Sequence, residues 1–316
     1  MAQEVKGKMI GKKELRDRFP TLSEKLWQLV DHSFPVRVTR SFGDKILHPT
    51  DPIGLQVLPH DSELTDDNEG MDDPVGEKKQ KIHPWIVEKH RDRALFLLTK
   101  RCHLYCRYCF RRTHNGTEDP SRSELRQAID IINERGYEEV ILSGGDPLAV
   151  RDDILQWVLD ELTAPTIRIH TRAPITAPSF VTEKKIRIMK EHPSLWMIIH
   201  CNHPTELDSA VQECLQNIHN AGIPILNQTV LLRGVNDCPV ILQELCQKLV
   251  RLRVFPYYLH HTDSVKGNRH FRVSHNEGRE IYSKLSKKVS GLALPRYVID
   301  LPDGRGKVDM MAQRMV

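Results

Sequence analysis

From residue 94 onward, short apolar runs of strand length alternate with amphipathic stretches of helical period, and this alternation limits the chain to few folds. The strand-like runs are 94–99, 139–142, 166–171, 195–200, 224–230 and 254–259, rich in Val, Ile and Leu. Between and after them, 123–134, 154–162, 183–190, 207–220, 240–249 and 277–289 carry apolar residues at helical spacing. Strands separated by helices pair in parallel, because each helix carries the chain back across the sheet. The fold class is therefore α/β. Periodicity alone leaves two architectures open, a doubly wound sheet and a partial barrel of six βα units.

Just after the first run comes Lys100-Arg101-Cys102-His103-Leu104-Tyr105-Cys106-Arg107-Tyr108-Cys109-Phe110-Arg111-Arg112. Three thiols spaced i, i+4 and i+7 can converge on one centre, at the carboxyl end of a strand where parallel α/β folds collect their active sites. The surrounding Lys100, Arg101, Arg107, Arg111 and Arg112 favour thiolate, the form that ligates metal. Spacing admits an iron-sulfur cluster on Cys102, Cys106 and Cys109, a zinc ion completed by His103 or His114, or a purely structural loop. A four-iron cube with three cysteines would leave one iron open to a small molecule.

The chain has 316 residues, 39% of them apolar, enough to bury a sizeable core and to exclude disorder as the dominant state. A net charge of +4 spread over this length reads as a solvated surface and not as a nucleic-acid footprint. No run of 18 apolar residues offers a membrane span, and the first residues lack the apolar core of a signal peptide, so the expectation is a cytoplasmic protein. Seven cysteines, an odd number, with Cys201, Cys214, Cys238 and Cys246 among apolar neighbours, suit reduced thiols better than a disulfide framework. Near the start, 22–32 reads as an amphipathic helix with Thr21 as its cap, and the acidic 61–77 lacks periodicity and reads as an extended surface connection.

Two further stretches stand out. Ser143-Gly144-Gly145-Asp146-Pro147 follows the second strand, where glycines let a backbone approach a ligand and Asp146 could accept hydrogen bonds from an ammonium group; a plain tight turn reads equally well. Val298-Ile299-Asp300-Leu301-Pro302-Asp303-Gly304-Arg305-Gly306-Lys307 puts a lysine after a glycine-bearing loop. A lysine shielded from water can have its pKa lowered enough for Schiff-base chemistry, although a solvated lysine is the ordinary case.

The Cys-x3-Cys-x2-Cys spacing with Tyr108 before the third cysteine resembles the signature of radical S-adenosylmethionine enzymes. Together with the terminal lysine, Asp72-Asp73-Pro74-Val75-Gly76-Glu77, Asn202-His203-Pro204, the run from Asn227 to Asp237 and Pro256-Tyr257-Tyr258, it resembles the lysine 2,3-aminomutase family over nearly the whole chain. The resemblance implies a partial (β/α)6 TIM-like barrel over 91–290, an N-terminal helical and extended wrap over 1–90, and a C-terminal segment, 291–316, carrying the lysine that binds pyridoxal phosphate. It implies a [4Fe-4S] cluster on Cys102, Cys106 and Cys109, with S-adenosylmethionine held by Gly144, Gly145 and Asp146 and flanked by His200 and Gln228. Pyridoxal 5'-phosphate would sit on Lys307 with Arg93 near its phosphate. The substrate would be L-lysine, its carboxylate on Arg111 and its far ammonium on Asp263 and Asp300.

The chain departs from that pattern in three places. Lys89 and His90 stand where the family usually has arginine and tyrosine, and Asp303 and Arg305 replace two glycines of the terminal loop. The sequence ends nine residues past Lys307, whereas longer members continue into an oligomerisation segment whose cysteines bind zinc with one at the Cys238 position. The expectation is therefore no structural zinc and a buried Cys238 thiol, with homo-oligomerisation left open. The short form resembles members supplying (R)-β-lysine for elongation factor P. The implied activity is interconversion of L-lysine and β-lysine, with an electron donor such as flavodoxin or ferredoxin and no nucleic-acid or membrane partner. A glutamate 2,3-aminomutase is the enzyme rival, disfavoured because Asp263 and Asp300 would repel a second carboxylate. A zinc-binding interaction protein is the rival without catalysis.

Overall fold

The computed structural model describes residues 9–65, 67–112, 119–303 and 306–312. His114, Gly304 and Arg305 lie outside the described residues. All six sequence-expected strands are present, as β3 (Arg93–Thr99), β4 (Glu139–Gly144), β5 (Thr166–Thr171), β6 (Leu195–Ile199), β7 (Ile225–Val230) and β8 (Val254–His260). They pair in parallel in chain order, and β9 (Arg296–Leu301) adds a seventh parallel strand that sequence periodicity missed. Antiparallel strands flank them, β1 (Lys81–His83) and β2 (Ile86–His90) at one edge and β10 (Gly306–Asp309) at the other. The ten strands form one sheet in the order β1 to β10, a partial TIM-like barrel with antiparallel rims.

A helix that the periodicity did not signal, α1 (Lys12–Arg18), opens the described chain, and the others return where the apolar periodicity places them: α2 (Glu24–Ser33), then α3 (Arg122–Arg135), α4 (Asp152–Glu161), α5 (Glu183–Lys190), α6 (Ser209–Asn220), α7 (Pro239–Arg251) and α8 (His275–Ser286). The cap of α2 is Ser23, whose hydroxyl accepts from Leu26 N–H, and not Thr21, because the helix starts two residues later than its first apolar residue. At α3, Ser121 and Glu124 satisfy one another's backbone N–H groups in a capping box, and Gly136 at φ 62° ends the helix.

Along β5 the residues Ile167, Ile169 and Thr171 are buried toward the helices, which leaves Thr166, Arg168 and His170 on the lumen face. The N-terminal residues Leu15, Leu26, Trp27, Val30 and Phe42 belong to the same apolar cluster as Phe96, Leu142, Ile169 and Met197 of the sheet. A second cluster, with Tyr297, Leu259 and Met310, closes the C-terminal strands onto α8.

Two sequence expectations need correcting. The stretch 61–77 is not merely a surface connection: Glu63 is fully buried, its carboxylate accepting from Arg107 Nε at 3.0 Å and from Arg112 Nη2 at 2.6 Å. Lack of periodicity hid this, because one buried anion leaves no pattern. Cys238 is exposed ahead of α7, not buried, while Cys201, Cys214 and Cys246 are buried thiols as expected. No helix among the described residues is long and apolar enough to cross a membrane.

Burial pushes the Glu63 carboxyl up, but Arg107 and Arg112 outweigh it and hold it below the ordinary value. A depressed carboxylate stabilises the fold above its unfolded pKa, and that contribution fades as pH falls through the folded value. Glu63→Gln should therefore cost about 3–5 kcal/mol near neutral pH, the usual result of breaking a buried pair. The gap to the unaltered chain should narrow in acid. Calorimetric melting across pH 3–7 (roughly the carboxylate range and above) checks both; equal melting temperatures at pH 7 would contradict the pairing.

Candidate active site

The cysteine loop leaves β3 at Thr99 and carries three free, half-buried thiols, Cys102, Cys106 and Cys109. Cys109 N–H bonds to Cys106 C=O at 3.0 Å, and the thiols lie within one another's electrostatic field. Arg172, just past β5, donates to Cys106 Sγ at 2.8 Å, to Gln56 Oε1 at 2.6 Å and to Glu206 Oε2 at 3.0 Å. The expected thiolate bias does not hold in the ligand-free chain. Burial, reinforced by Asp146 and the neighbouring thiols, pushes Cys102 well up, and burial raises Cys109 to about 11; Arg111 opposes both without prevailing. Binding a metal centre here must release protons.

His103 does not join the thiols but packs against Phe180 with ring centroids 4.7 Å apart. Among the described residues no trio of His, Cys, Asp or Glu is gathered closely enough to hold one metal ion. Zinc bonds of about 2.3 Å to sulfur would bring such ligands almost into contact. A cluster attaches each thiolate to a different iron, so its ligands sit further apart, and the donor set suits a cluster better than zinc.

The Gly-Gly-Asp-Pro loop is stitched onto this loop. Gly145 N–H bonds to Thr99 C=O at 2.6 Å and Asp146 N–H to Arg101 C=O at 2.8 Å. A Cβ on Gly145 would lie 2.2 Å from Arg101 O, and Gly144 sits at φ +119° with Thr99 O 2.3 Å from where its Cβ would be. The glycines thus serve the approach of two backbone loops, where the sequence reading had a ligand in that place. The Asp146 carboxylate is likewise committed to the fold, accepting from Leu148 N–H at 3.0 Å, Thr171 Oγ1 at 2.7 Å and Arg172 N–H at 2.9 Å. Oδ1 takes two of these bonds and Oδ2 one, which leaves an acceptor site on Oδ2.

Arg111 makes a fork on a carboxylate, but the carboxylate is Glu77, accepting from Nε at 2.8 Å. Nη1 of the same guanidinium donates to Gly144 C=O at 3.0 Å. Lys307, on β10, faces Asp300 across the antiparallel pair with Nζ 3.1 Å from Oδ2, and lies 5.8 Å from the Tyr258 ring centroid. It is not shielded from water as expected: its side chain is 36% exposed, because β10 is the sheet's last strand. Asp300 also accepts from Lys89, whose Nζ reaches Leu301 C=O at 3.3 Å. Burial pushes the Asp300 carboxyl up, and Lys307 and Lys89 more than reverse it.

Asp263 shares a cleft of about 400 Å³ with Asp300, Met71 and Pro74. Burial first, then the neighbouring Asp300, push its carboxyl up to about 7, and no side chain among the described residues donates to it. His200 lies 3.4 Å from Tyr108 OH, and burial pushes it well below its ordinary value. Gln228 bonds to His260 at 2.9 Å and to His170 at 3.2 Å. Arg93, at the opposite end of β3 from the cysteines, pairs with Asp92 at 3.1 Å. His90 packs against Gly306, beside Lys307, so the departures at 89 and 90 both lie against the lysine strand.

Comparison with known proteins supplies the decisive context. Residues 96–245 match the Radical SAM superfamily. The L-lysine 2,3-aminomutase of Buchnera aphidicola is 38% identical over 88% of this chain and 85% of its own. The chain belongs to the lysine 2,3-aminomutase family of radical SAM proteins. The L-lysine 2,3-aminomutase of Methanococcus maripaludis is 40% identical over 84% of this chain, which spans 63% of that protein's length. The glutamate 2,3-aminomutase of Clostridioides difficile is 35% identical over 84% of this chain and 64% of its own.

Glu63 and Arg172, which hold the cysteine loop, and the lumen residues His170 and His260 carry no motif in the sequence, while Glu77 and Tyr258 stood in motifs without a role assigned. His170 and Gln228 alternate with apolar residues in their strands, a period-2 signal that was available. The role of Glu77 and that of Arg172 emerge only from their partners in space. If the two loops depend on the close approach at Gly145, Gly145→Ala should leave the far-UV spectrum intact. It should speed amide exchange over 101–109 at least about tenfold, equivalent to about 1.4 kcal/mol. Exchange within twofold of the unaltered chain would contradict this.

Proposed function

We propose that this chain is an L-lysine 2,3-aminomutase, interconverting L-lysine and β-lysine. Cys102, Cys106 and Cys109 would hold a [4Fe-4S] cluster. Gly144, Gly145, His200 and Gln228 would flank S-adenosylmethionine, with Asp146 fixing the loop beneath, and Lys307 would hold pyridoxal 5'-phosphate with Arg93 toward its phosphate. When bound, the cluster and S-adenosylmethionine supply hydrogen abstraction, and pyridoxal phosphate supplies a path for nitrogen migration.

The chain's own residues position the substrate. Arg111 is suited to a planar, bidentate grip on the substrate carboxylate once that anion takes the slot Glu77 now fills. Asp263 is suited to the far ammonium, being a buried carboxylate with no donor among the described residues. Asp300, beside it, already bears two lysines and adds negative potential. Lys307 Nζ bonds to Asp300 Oδ2 at 3.1 Å and so stands at the edge of the same cleft. The observation that carries this reading is Asp263: a carboxyl pushed up by burial and by Asp300, with no ion pair among the described residues, gains most from a cation, and the side-chain carboxylate of glutamate would meet repulsion instead.

The reading extends to an outside electron donor, such as flavodoxin or ferredoxin, and to a cytoplasmic setting suited to reduced thiols.

The unaltered chain, anaerobically reconstituted and reduced, should form β-lysine from L-lysine in strong preference to β-glutamate from L-glutamate; the opposite preference would overturn the reading. Asp263→Asn should weaken lysine use by roughly thirty-fold to several thousand-fold, the ~2–5 kcal/mol expected for losing one partner of a buried charge pair. Cluster content should not change. Because Asp263 ionises near 7, the KM for lysine in the unaltered chain should fall as pH rises from about 6 to 8, where a carboxylate gains charge and the ε-ammonium keeps its own. Asp263→Asn should flatten that dependence. An Asn variant with unaltered KM and pH profile would remove Asp263 from the site.

A further inference from the structure

Three polar side chains form a directed hydrogen-bond chain across the lumen. His260 Nε2 lies 2.9 Å from Gln228 Oε1, and Gln228 Nε2 lies 3.2 Å from His170 Nδ1. An amide oxygen only accepts and an amide nitrogen only donates, so with the Gln228 amide turned oxygen to His260 and nitrogen to His170, His260 carries its proton on Nε2 and His170 leaves Nδ1 bare. Burial, helped by Lys307, pushes His260 down to about 3, and burial with Arg168 pushes His170 well below its ordinary value, so both rings are neutral. A neutral His170 with a bare Nδ1 carries its proton on Nε2. That Nε2 is buried from water and has no acceptor among the described residues. A buried donor left unmet costs about 1–3 kcal/mol, so a fold retains one where a ligand meets it.

The surroundings specify the missing acceptor. Arg168 precedes His170 by two residues on the same strand face, and Arg111 and Lys307 also bring positive charge to bear on the ring, each of the three being bonded to one carboxylate, Glu139, Glu77 and Asp300 in turn. Positive potential converging on one N–H selects an oxygen that bears negative charge. We propose that His170 is a ligand-binding residue whose Nε2–H donates to an anionic oxygen of a small molecule in the lumen. Gln228 and His260 hold its ring in that tautomer. The inference rests on the aminomutase reading, which offers two sources of such an oxygen: the substrate carboxylate, and the phosphate or phenolate of pyridoxal phosphate.

The test uses the full chain, anaerobically reconstituted, as the unaltered form, His170→Ala and His170→Gln, the last retaining a donor. One arm titrates pyridoxal phosphate without substrate and follows the absorbance of the bound cofactor. The other measures KM for L-lysine at saturating cofactor. His170→Ala should lose about tenfold or more in one arm, the yield of one lost charge-assisted bond, with His170→Gln recovering part of it; the arm affected names the source of the oxygen. Nitrogen-15 spectra of the histidine-labelled unaltered chain should show the His170 Nε2–H resonance moving on addition of that same ligand. Affinity and KM both within twofold in His170→Ala, or a resonance that neither ligand moves, would overturn the proposal. An unaltered chain that binds no pyridoxal phosphate would overturn the aminomutase reading itself, and this inference with it.

Discussion

The cysteine loop rests on arginines that cannot be buried unpaired. Arg107 is fully buried and Arg112 and Arg172 nearly so, and an uncompensated charge at such depth is prohibitive. Their carboxylates come from elsewhere in the chain: Glu63 from the N-terminal segment answers Arg107 and Arg112, and Glu206 from beyond β6 answers Arg172. Arg111, one residue before Arg112, repeats the arrangement with Glu77. The N-terminal wrap is therefore part of the site's foundation. The loop of three thiols gains its shape from these pairs and from the backbone of the Gly-Gly-Asp-Pro turn.

The same logic closes the barrel. The first and last strands of the sheet do not hydrogen-bond to each other; across the gap Lys89 of β2 meets Asp300 of β9, and His90 packs on Gly306 of β10. Asp300 also receives Lys307, so one carboxylate joins the seam of the fold to the lysine expected to carry a cofactor. Both ends of a zwitterionic substrate have internal counterparts, Glu77 on Arg111 and Lys89 on Asp300. Asp263 feels Lys307 and Lys89 only at longer range and has no ion pair among the described residues, which leaves it open to a substrate cation.

Much of this was legible in the sequence. The six parallel strands and the helices between them follow from apolar periodicity, and the expected 183–190 coincides with α5, which Thr182 caps. β9 and β10 were not read as strands because Arg296–Leu301 and Gly306–Asp309 interleave charge and glycine, a pattern of rims and not of cores. The cysteine spacing, Arg111, Asp263, Asp300 and Lys307 were found from motif and family resemblance, and they do gather on the cysteine-loop and β8 to β10 side of the lumen. Burial was not legible. It reversed the expected thiolate bias of Cys102 and Cys109, turned Asp146 into a structural acceptor and left Lys307 more open than a shielded lysine.

The account depends most on what the cysteine loop holds, and counting metal and acid-labile sulfide per chain after anaerobic reconstitution tests that directly. It predicts a four-iron, four-sulfide complement on the unaltered chain, an electron paramagnetic resonance signal that changes when S-adenosylmethionine is added to the reduced protein, and loss of both in Cys106→Ala. One zinc per chain with no iron or sulfide, or full iron retained in Cys106→Ala, would contradict it.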